Sequence, residues 1–370
     1  MRDLRFRNLE KYRVGGTRDN MQLALPVPKS PSGKVYKYSP NPDAKPRLFL
    51  IGNAPDEPEI SPEARSRMRR EPGPGQTICP YSGFFGEDNE FVHADDIEAI
   101  KKHAVWLAGN DLNDYLGEVA KDFNRRQPRG GILSMKMDHK PSRRPKPLAI
   151  REDLLRSLEC EICAREYGVY ALALFCPDCG APNVPLHFRR EVSLIGEQIA
   201  LADELDQKGN SEIAYRLMGN AHEDVLTAFE ATLKSVHAQL VRTHLPDQVE
   251  QLLGKKAVGN SFQNVERGRK LFAKLGIDPF DVLDEAGIEH IQLNAEKRHV
   301  LGHNLGIADD HYANFAEDLE PGETITLIGG DIQRFAELCL KVVARLEDSL
   351  LPAPPTESDE KSGQPDGQPL

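Results

Sequence analysis

Four cysteines between residues 160 and 179 form the clearest chemical pattern in the sequence. Cys160, Cys163, Cys176 and Cys179 make two C-x-x-C pairs separated by twelve residues. Each pair can present two thiolates to one ion, and a short hairpin can bring the two pairs together. The spacing predicts a zinc ribbon whose Zn²⁺ has four protein ligands and is structural rather than catalytic. A redox-active dithiol pair and two disulfides are the alternative interpretations.

A second chemical pattern runs from Arg298 to Gly306 and reads RHVLGHNLG. An arginine stays charged and pairs with phosphate oxygens, and a histidine exchanges protons near neutral pH. The spacing alone is not decisive, because Arg216 and His222 also match it, inside a predicted helix. The surroundings favour the segment at Arg298, which follows one amphipathic helix and precedes a last one over 331–348.

In this setting Arg298, His299, His303 and Asn304 resemble the R-x(4–6)-H motif of the HEPN superfamily, all-helical domains found in many bacterial RNase toxins and phage-defence proteins. The resemblance covers residues 189–350. It implies a helical bundle that cleaves RNA without a metal, and a homodimer whose two copies share a composite site. His303 is then expected to move the proton and Arg298 to stabilise the phosphorane, while Asn304 and His299 orient the histidine or bind phosphate.

Helix geometry adds a condition on this site. Each residue of an α-helix turns by 100°, so residues five apart lie about 140° apart around the axis. The side chains at positions 298 and 303 would diverge on a straight helix. The sequence therefore predicts that the helix ends near Gly302, which would let His303 turn back.

Non-catalytic interpretations remain open for the same residues. Arg298 can pair with Glu296 or Asp310, and His303 can cap a helix end. The helical domain would then be an adaptor that dimerises, while the ribbon binds a protein or nucleic-acid partner. A DNA-associated regulator is a third hypothesis and depends on the ribbon and the basic segment. Burial of the arginine against acidic residues would favour the adaptor.

A basic segment separates two acidic parts of the chain. Residues 123–151 contain nine Lys/Arg and one Asp, with several Pro and Gly. A phosphate backbone is one partner for such a segment, and a solvated linker is the alternative. Because the helical domain is acidic, RNA binding would need this positive charge. The candidate nucleic-acid contacts are Arg125, Arg126, Arg129, Arg143 and Arg144.

The remaining patterns divide the chain into segments. Apolar residues recur at helical spacing over 94–124 and through most of 191–348, whereas residues 1–78 contain short apolar pieces separated by prolines. The expected class is mainly α in the C-terminal half, with a small zinc ribbon. The segments are a β-rich or irregular, ribbon-like region (1–93), one or two helices (94–124), a basic linker (125–150), the ribbon (151–188), the helical domain (189–350) and an acidic disordered tail (351–370).

The other cysteines and histidines give weaker signals. The sequence CPYSG at Cys79 looks like a ribbon knuckle in which Ser82 replaces the second ligand, and we expect it to hold without metal, although His93 or His103 could assist. Cys339 falls on the apolar side of the last helix and should be a core residue. His222 and His237 are expected to cover helix surfaces.

Composition limits the class of protein. The chain has 370 residues, 39% of them hydrophobic, and a net charge of −11. No apolar stretch approaches the roughly 18 residues that a membrane span requires, and the N-terminus lacks the apolar region of a secretory signal. We therefore expect a soluble cytoplasmic protein with an RNA substrate or a regulatory protein partner, and no membrane.

Overall fold

The computed structural model describes residues 6–17, 20–25, 29–55, 59–126, 155–304, 306–316 and 319–351, with the side chains of residues 94, 126 and 303 left out. Short strands precede and surround the cysteine pairs, and long helices follow them. The strands are β1 (Arg13–Gly16), β2 (Met21–Leu23), β3 (Val35–Tyr38), β4 (Leu48–Ile51), β5 (Gln76–Ile78), β6 (Phe85–Glu87), β7 (Arg156–Glu159) and β8 (Glu166–Val169). The helices are α1 (Arg7–Glu10), α2 (Pro62–Ser66), α3 (Ala94–Arg126), α4 (Val184–Gln207), α5 (Ser211–His244), α6 (Val249–Leu253), α7 (Lys255–Val258), α8 (Val265–Ala273), α9 (Glu285–Asn304), α10 (Asp310–Ala313) and α11 (Gly329–Asp348). This content confirms a mainly α protein with small sheets.

One antiparallel sheet joins the N-terminal region to the cysteine pairs. Its strand order is β3-β4-β8-β7, so a hairpin from residues 35–51 lies beside the β7–β8 hairpin, whose turn contains Cys160 and Cys163. Phe49 in β4 pairs with Val169 in β8, and both side chains are fully buried. Strand β4 has the wholly apolar sequence LFLI, which suits its place as an inner strand of the sheet. Residues 29–92 and 155–183 thus share one core.

The C-terminal half is built on a long helical hairpin. Helices α4 and α5 pack against each other, and α11 packs against both. Gly209 ends α4 with a φ of +80°, and the N–H of Asn210 donates to the carbonyl of Leu205, which is the hydrogen bond of a Schellman cap. Phe229 and Phe335 are among the large side chains buried in the resulting core.

Several sequence predictions are confirmed here and several are wrong. Helix α3 is a single helix of 33 residues, and Cys339 is fully buried in the helical core. The apolar pattern predicts a short helix over 279–286, and this is wrong for residues 279–284. Oδ1 of Asp278 accepts the N–H of Phe280 in a turn, and Oδ1 of Asp284 accepts the N–H of Gly287 at the start of α9.

The prediction that two histidines of α5 cover helix surfaces is wrong. His222 and His237 are 0% and 1% exposed. His237 packs edge-on against Phe262 and Phe272, which belong to later elements, so its own helix gave no sign of its burial. Burial lowers the pKa of each imidazole to about 4. Both side chains are therefore neutral core residues at neutral pH.

Candidate functional site

A cavity of about 310 Å³ lies between α5, α9 and the segment that precedes α8. Its wall combines a carboxylate, two amides, a guanidinium and an imidazole. These come from three separate parts of the chain, which the helical packing brings together. The polar lining residues are Glu223 from α5, Asn260 and Gln263 from the segment before α8, and Arg298 and His299 from α9.

Helix α9 presents one face to this cavity. Residues 295, 298, 299 and 302 line it, and their spacing of three, four and seven is the spacing of a single helix face. Arg298 and His299 therefore share the cavity. The sequence had assigned His299 an accessory role, and the structure places it directly beside the arginine.

Arg298 is held by a buried carboxylate on α5. Its Nη1 lies 3.5 Å from Oε2 of Glu230, whose side chain is only 10% exposed, while 32% of the arginine side chain remains exposed. The same carboxylate accepts a hydrogen bond from Nε2 of Gln263 at 3.0 Å and pairs with Lys234 on its other oxygen. Arg298 therefore pairs with Glu230, and not with Glu296 or Asp310, the partners that the sequence analysis had considered. Glu296 instead lies 3.3 Å from Nε2 of His311.

Helix α9 does not end at Gly302, so that prediction is wrong. The helix continues through Asn304, and Gly302 is not among the glycines with positive φ. Positions 298 and 303 thus stay about 140° apart around the axis. Residue 303 lies one turn after His299, at the edge of the cavity-facing side; the side chain of His303 lies outside the described part of the chain.

Asn304 takes part in the turn that follows α9. Its Nδ2 donates to Oδ2 of Asp309 at 3.0 Å, and Oδ1 of Asp309 accepts the N–H of Tyr312 and caps α10. These hydrogen bonds, that of Tyr312 foremost, and the charge of His299 lower the pKa of the Asp309 carboxyl. Asn304 therefore has a structural role at this turn.

The second arginine–histidine match of the sequence, Arg216 and His222, does not form a site. His222 lies beneath α9. Nε2 of His222 lies 3.1 Å from Oδ1 of Asn294, and its ring stacks on Phe335 with centroids 5.7 Å apart. Arg216 makes an exposed ion pair with Glu212 one turn earlier on the same helix. These two residues therefore do not form a shared site.

The four cysteines of the C-x-x-C pairs meet in one buried group. Their sulfur atoms all lie within 4.8 Å of one another, with Sγ of Cys160 3.8 Å from that of Cys179 and Sγ of Cys163 3.7 Å from that of Cys176. Each pair forms a tight backbone turn. The N–H of Gly180 donates to the carbonyl of Cys176 at 3.1 Å, and Gly180 has the φ of +73° that favours glycine. This group can hold a metal ion.

Cys79 begins a third turn of the same backbone form. The N–H of Gly83 donates to the carbonyl of Cys79 at 2.9 Å, and Gly83 has a φ of +67°. His93 packs against Tyr38 and His103 against Trp106, so neither histidine joins it. Within the described ranges, the group at Cys160 is the one set of three or more metal-ligating side chains close enough to share an ion.

The predicted nucleic-acid contacts fall mostly outside the described residues. This applies to Arg129, Arg143, Arg144 and the side chain of Arg126. Arg125 is exposed near the end of α3, where its Nη2 lies 3.4 Å from Asp122. An exposed pair of this kind is worth little and leaves the guanidinium accessible.

Two further findings concern the chain as a whole. In the part that the structure describes, no helix combines the length and the apolar character that crossing a membrane demands. The chain matches no family model, no curated protein and no solved structure.

Proposed function

We propose that this protein is a metal-independent endoribonuclease of the toxin or phage-defence type, with a HEPN-like helical domain over residues 189–350. The observation that carries the proposal is that Arg298 and His299 line one open cavity together with a carboxylate and two amides. These are the groups that bind a phosphodiester and transfer protons near it.

The proposed reaction is an internal transfer of the RNA phosphate. The 2′-hydroxyl gives up its proton to a base and forms a bond to the adjacent phosphorus, while the bond from phosphorus to the 5′-oxygen breaks and that oxygen takes up a proton. The products are a 2′,3′-cyclic phosphate and a 5′-hydroxyl end. Arg298 stabilises the extra negative charge on the phosphorane oxygens, and a histidine of α9 transfers the protons.

Two histidines compete for the proton-transfer role. His299 shares the cavity with Arg298 within one chain. His303 is the histidine of the motif, but its position on α9 diverges from that of Arg298. A site that uses His303 fits the composite arrangement implied by the resemblance, in which a second copy faces the first.

The ion pair with Glu230 is compatible with catalysis by Arg298. A guanidinium has five N–H donors, and the contact with Glu230 occupies one side of it. The carboxylate thus orients the arginine at the cavity wall while its exposed edge remains available to phosphate. The nearby acidic side chains weaken the positive field, so the basic segment 123–151 is needed to attract RNA.

The test is cleavage of RNA by the purified full-length protein. Arg298→Ala should abolish the formation of 2′,3′-cyclic phosphate ends, and His299→Ala and His303→Ala separately identify the proton-transferring histidine. Arg216→Ala is the matched control, because it removes the arginine of the other sequence match from an exposed site. Cleavage that is indifferent to Arg298→Ala, or its absence on varied RNAs, would contradict the proposal.

A second candidate function is a non-catalytic adaptor that binds a regulatory protein or a nucleic acid. The pairing of Arg298 with a nearly buried carboxylate favours it, because such pairs also serve purely structural roles. The adaptor predicts that Arg298→Ala lowers stability without changing any RNA cleavage. RNA cleavage by the Arg298→Ala variant therefore distinguishes the two functions.

We further propose that the four cysteines bind one structural Zn²⁺. A tetrahedral ion with Zn–S bonds of about 2.3 Å places its sulfur ligands about 3.8 Å apart, close to the 3.7 and 3.8 Å of two of the pairs. All four side chains are buried, and four thiolates leave no open coordination position. The ion would supply folding free energy to the sheet that contains β4 and β8.

A further inference from the structure

Helix α3 carries an apolar stripe that the described chain leaves exposed. Val105, Leu112, Leu116, Val119 and Phe123 are between 37% and 70% exposed. The other side of the helix is covered by α1, where the buried carboxylate of Asp111 accepts the N–H groups of Asn8 and Leu9. The stripe is about 27 Å long, since residues 105 and 123 are eighteen positions apart.

The stripe follows the spacing of a coiled coil. From Val105 the positions advance by four and three residues in turn, through Gly109 to Phe123, which are alternating d and a positions of a heptad. Gly109 has open space beyond its Cα, so it forms a shallow point between two larger side chains. A seam of this kind requires a second helix with the same period.

We propose that α3 pairs in an antiparallel manner with α3 of a second copy of this chain. An antiparallel pair centred on residue 114 places every a position opposite a d position of the other copy. Val105 then faces Phe123, Gly109 faces Val119, and Leu112 faces Leu116. Each layer combines a smaller with a larger side chain or two leucines, so the stripe is complementary to itself.

The mixed charge of α3 bears on which occupant covers the stripe. The helix begins with Asp95, Asp96 and Glu98 and ends with Lys121 and Arg125. In the proposed register residues 95–98 face positions beyond residue 126, where the partner's α3 ends, and position 126 faces Lys102, so the apolar layers and not these charges set the direction of the pair. The helix has seven acidic and five basic residues, which argues against an anionic lipid surface or nucleic acid as the occupant.

Crosslinking of the full-length protein tests the register. In the proposed pair, residue 113 of one copy lies next to residue 113 of the other, whereas residue 101 lies about 39 Å from its counterpart. Asn113→Cys should therefore give a covalent dimer with a short bismaleimide, and Lys101→Cys should not. The wild-type protein is the background control, because all six of its cysteines are buried. Crosslinking at both positions would indicate a parallel pair and overturn the proposal.

Sedimentation or light scattering tests the surface itself. The double variant Leu112→Glu/Leu116→Glu changes two exposed positions, so its fold should persist while its mass in solution falls by a factor of two. Leu201→Glu makes the same change at an exposed leucine of α4 and should leave the mass unchanged. A monomeric wild-type protein, a mass that does not fall in the double variant, or no crosslink at residue 113 would each overturn the proposal.

Discussion

Nη1 of Arg298 lies 3.5 Å from Oε2 of Glu230, which connects α9 to α5 across the wall of the cavity. Sixty-eight positions separate the two residues in the sequence, and no motif relates them. The pair holds Arg298 at the wall of the polar cavity, which the motif segment of α9 also lines. It is also the feature on which the catalytic and the structural interpretations of the motif differ.

Glu230→Gln tests what this carboxylate contributes. The amide can keep the hydrogen bond with Gln263 but cannot neutralise Arg298 and Lys234, so we expect a loss of about 1–2 kcal/mol in the free energy of unfolding. Urea denaturation measures it. Glu223→Gln, at a carboxylate lining the same cavity, should change stability by less than about 0.5 kcal/mol. Equal effects of the two substitutions would contradict a specific role of the pair.

Gly302→Ala tests the continuity of α9 through the motif. A Cβ at this position would meet Oε1 of Glu223 at 3.8 Å, an ordinary contact. Alanine in a helix interior is favoured over glycine by about 0.5–1 kcal/mol, so the thermal midpoint should rise or hold.

Gly306→Ala is the matched comparison in the same segment. Gly306 has a φ of +84°, and a Cβ there would lie 2.6 Å from the hydroxyl oxygen of Tyr215. This variant should lose at least about 1 kcal/mol. A destabilised Gly302→Ala protein would instead place the end of α9 at Gly302.

Metal binding predicts a contrast between cysteines. Cys176→Ser removes one ligand of the four-sulfur group and should lower both the zinc content and the thermal stability of the purified protein. Cys79→Ser alters a buried cysteine in a turn of the same backbone form and should leave the zinc content at one ion per chain. Metal analysis of the two purified variants measures their zinc content and so tests this contrast. Two ions per wild-type chain would contradict the single site.

The buried histidines predict a loss of stability in acid. Burial lowers the pKa of His222 and His237 to about 4, below the value near 6.5 of an unfolded chain. The unfolded state therefore binds more protons as the pH falls from about 6.5 towards 4, and each histidine costs the folded state about 3 kcal/mol at the lower limit.

His237→Leu removes one of these titrating groups from its place between Phe262 and Phe272. Its free energy of unfolding should fall less steeply between pH 6.5 and 4.5 than that of the wild-type protein. Equal pH dependence of the two proteins would show that the ring is not buried in its neutral form.

Local patterns in the sequence were enough to predict the group of four cysteines that can hold a metal ion. The spacing of the cysteines determines the two knuckles, since each turn depends on neighbouring residues, with Ala164 at the left-handed position of the first turn and Gly180 at that of the second. The mainly helical character of the C-terminal half also followed from apolar periodicity. The resemblance of the Arg298 segment to a ribonuclease motif stays a prediction.

Only the tertiary structure determined which side chains surround that segment. Glu230, Gln263 and Asn260 had no recognisable motif, because their role depends on how α5 and the segment before α8 pack against α9. The burial of His237 and the pairing of β4 with β8 have the same origin. Contacts between residues far apart in sequence come from packing a shared core, and the pattern of one helix or strand shows which face is apolar but not what covers it.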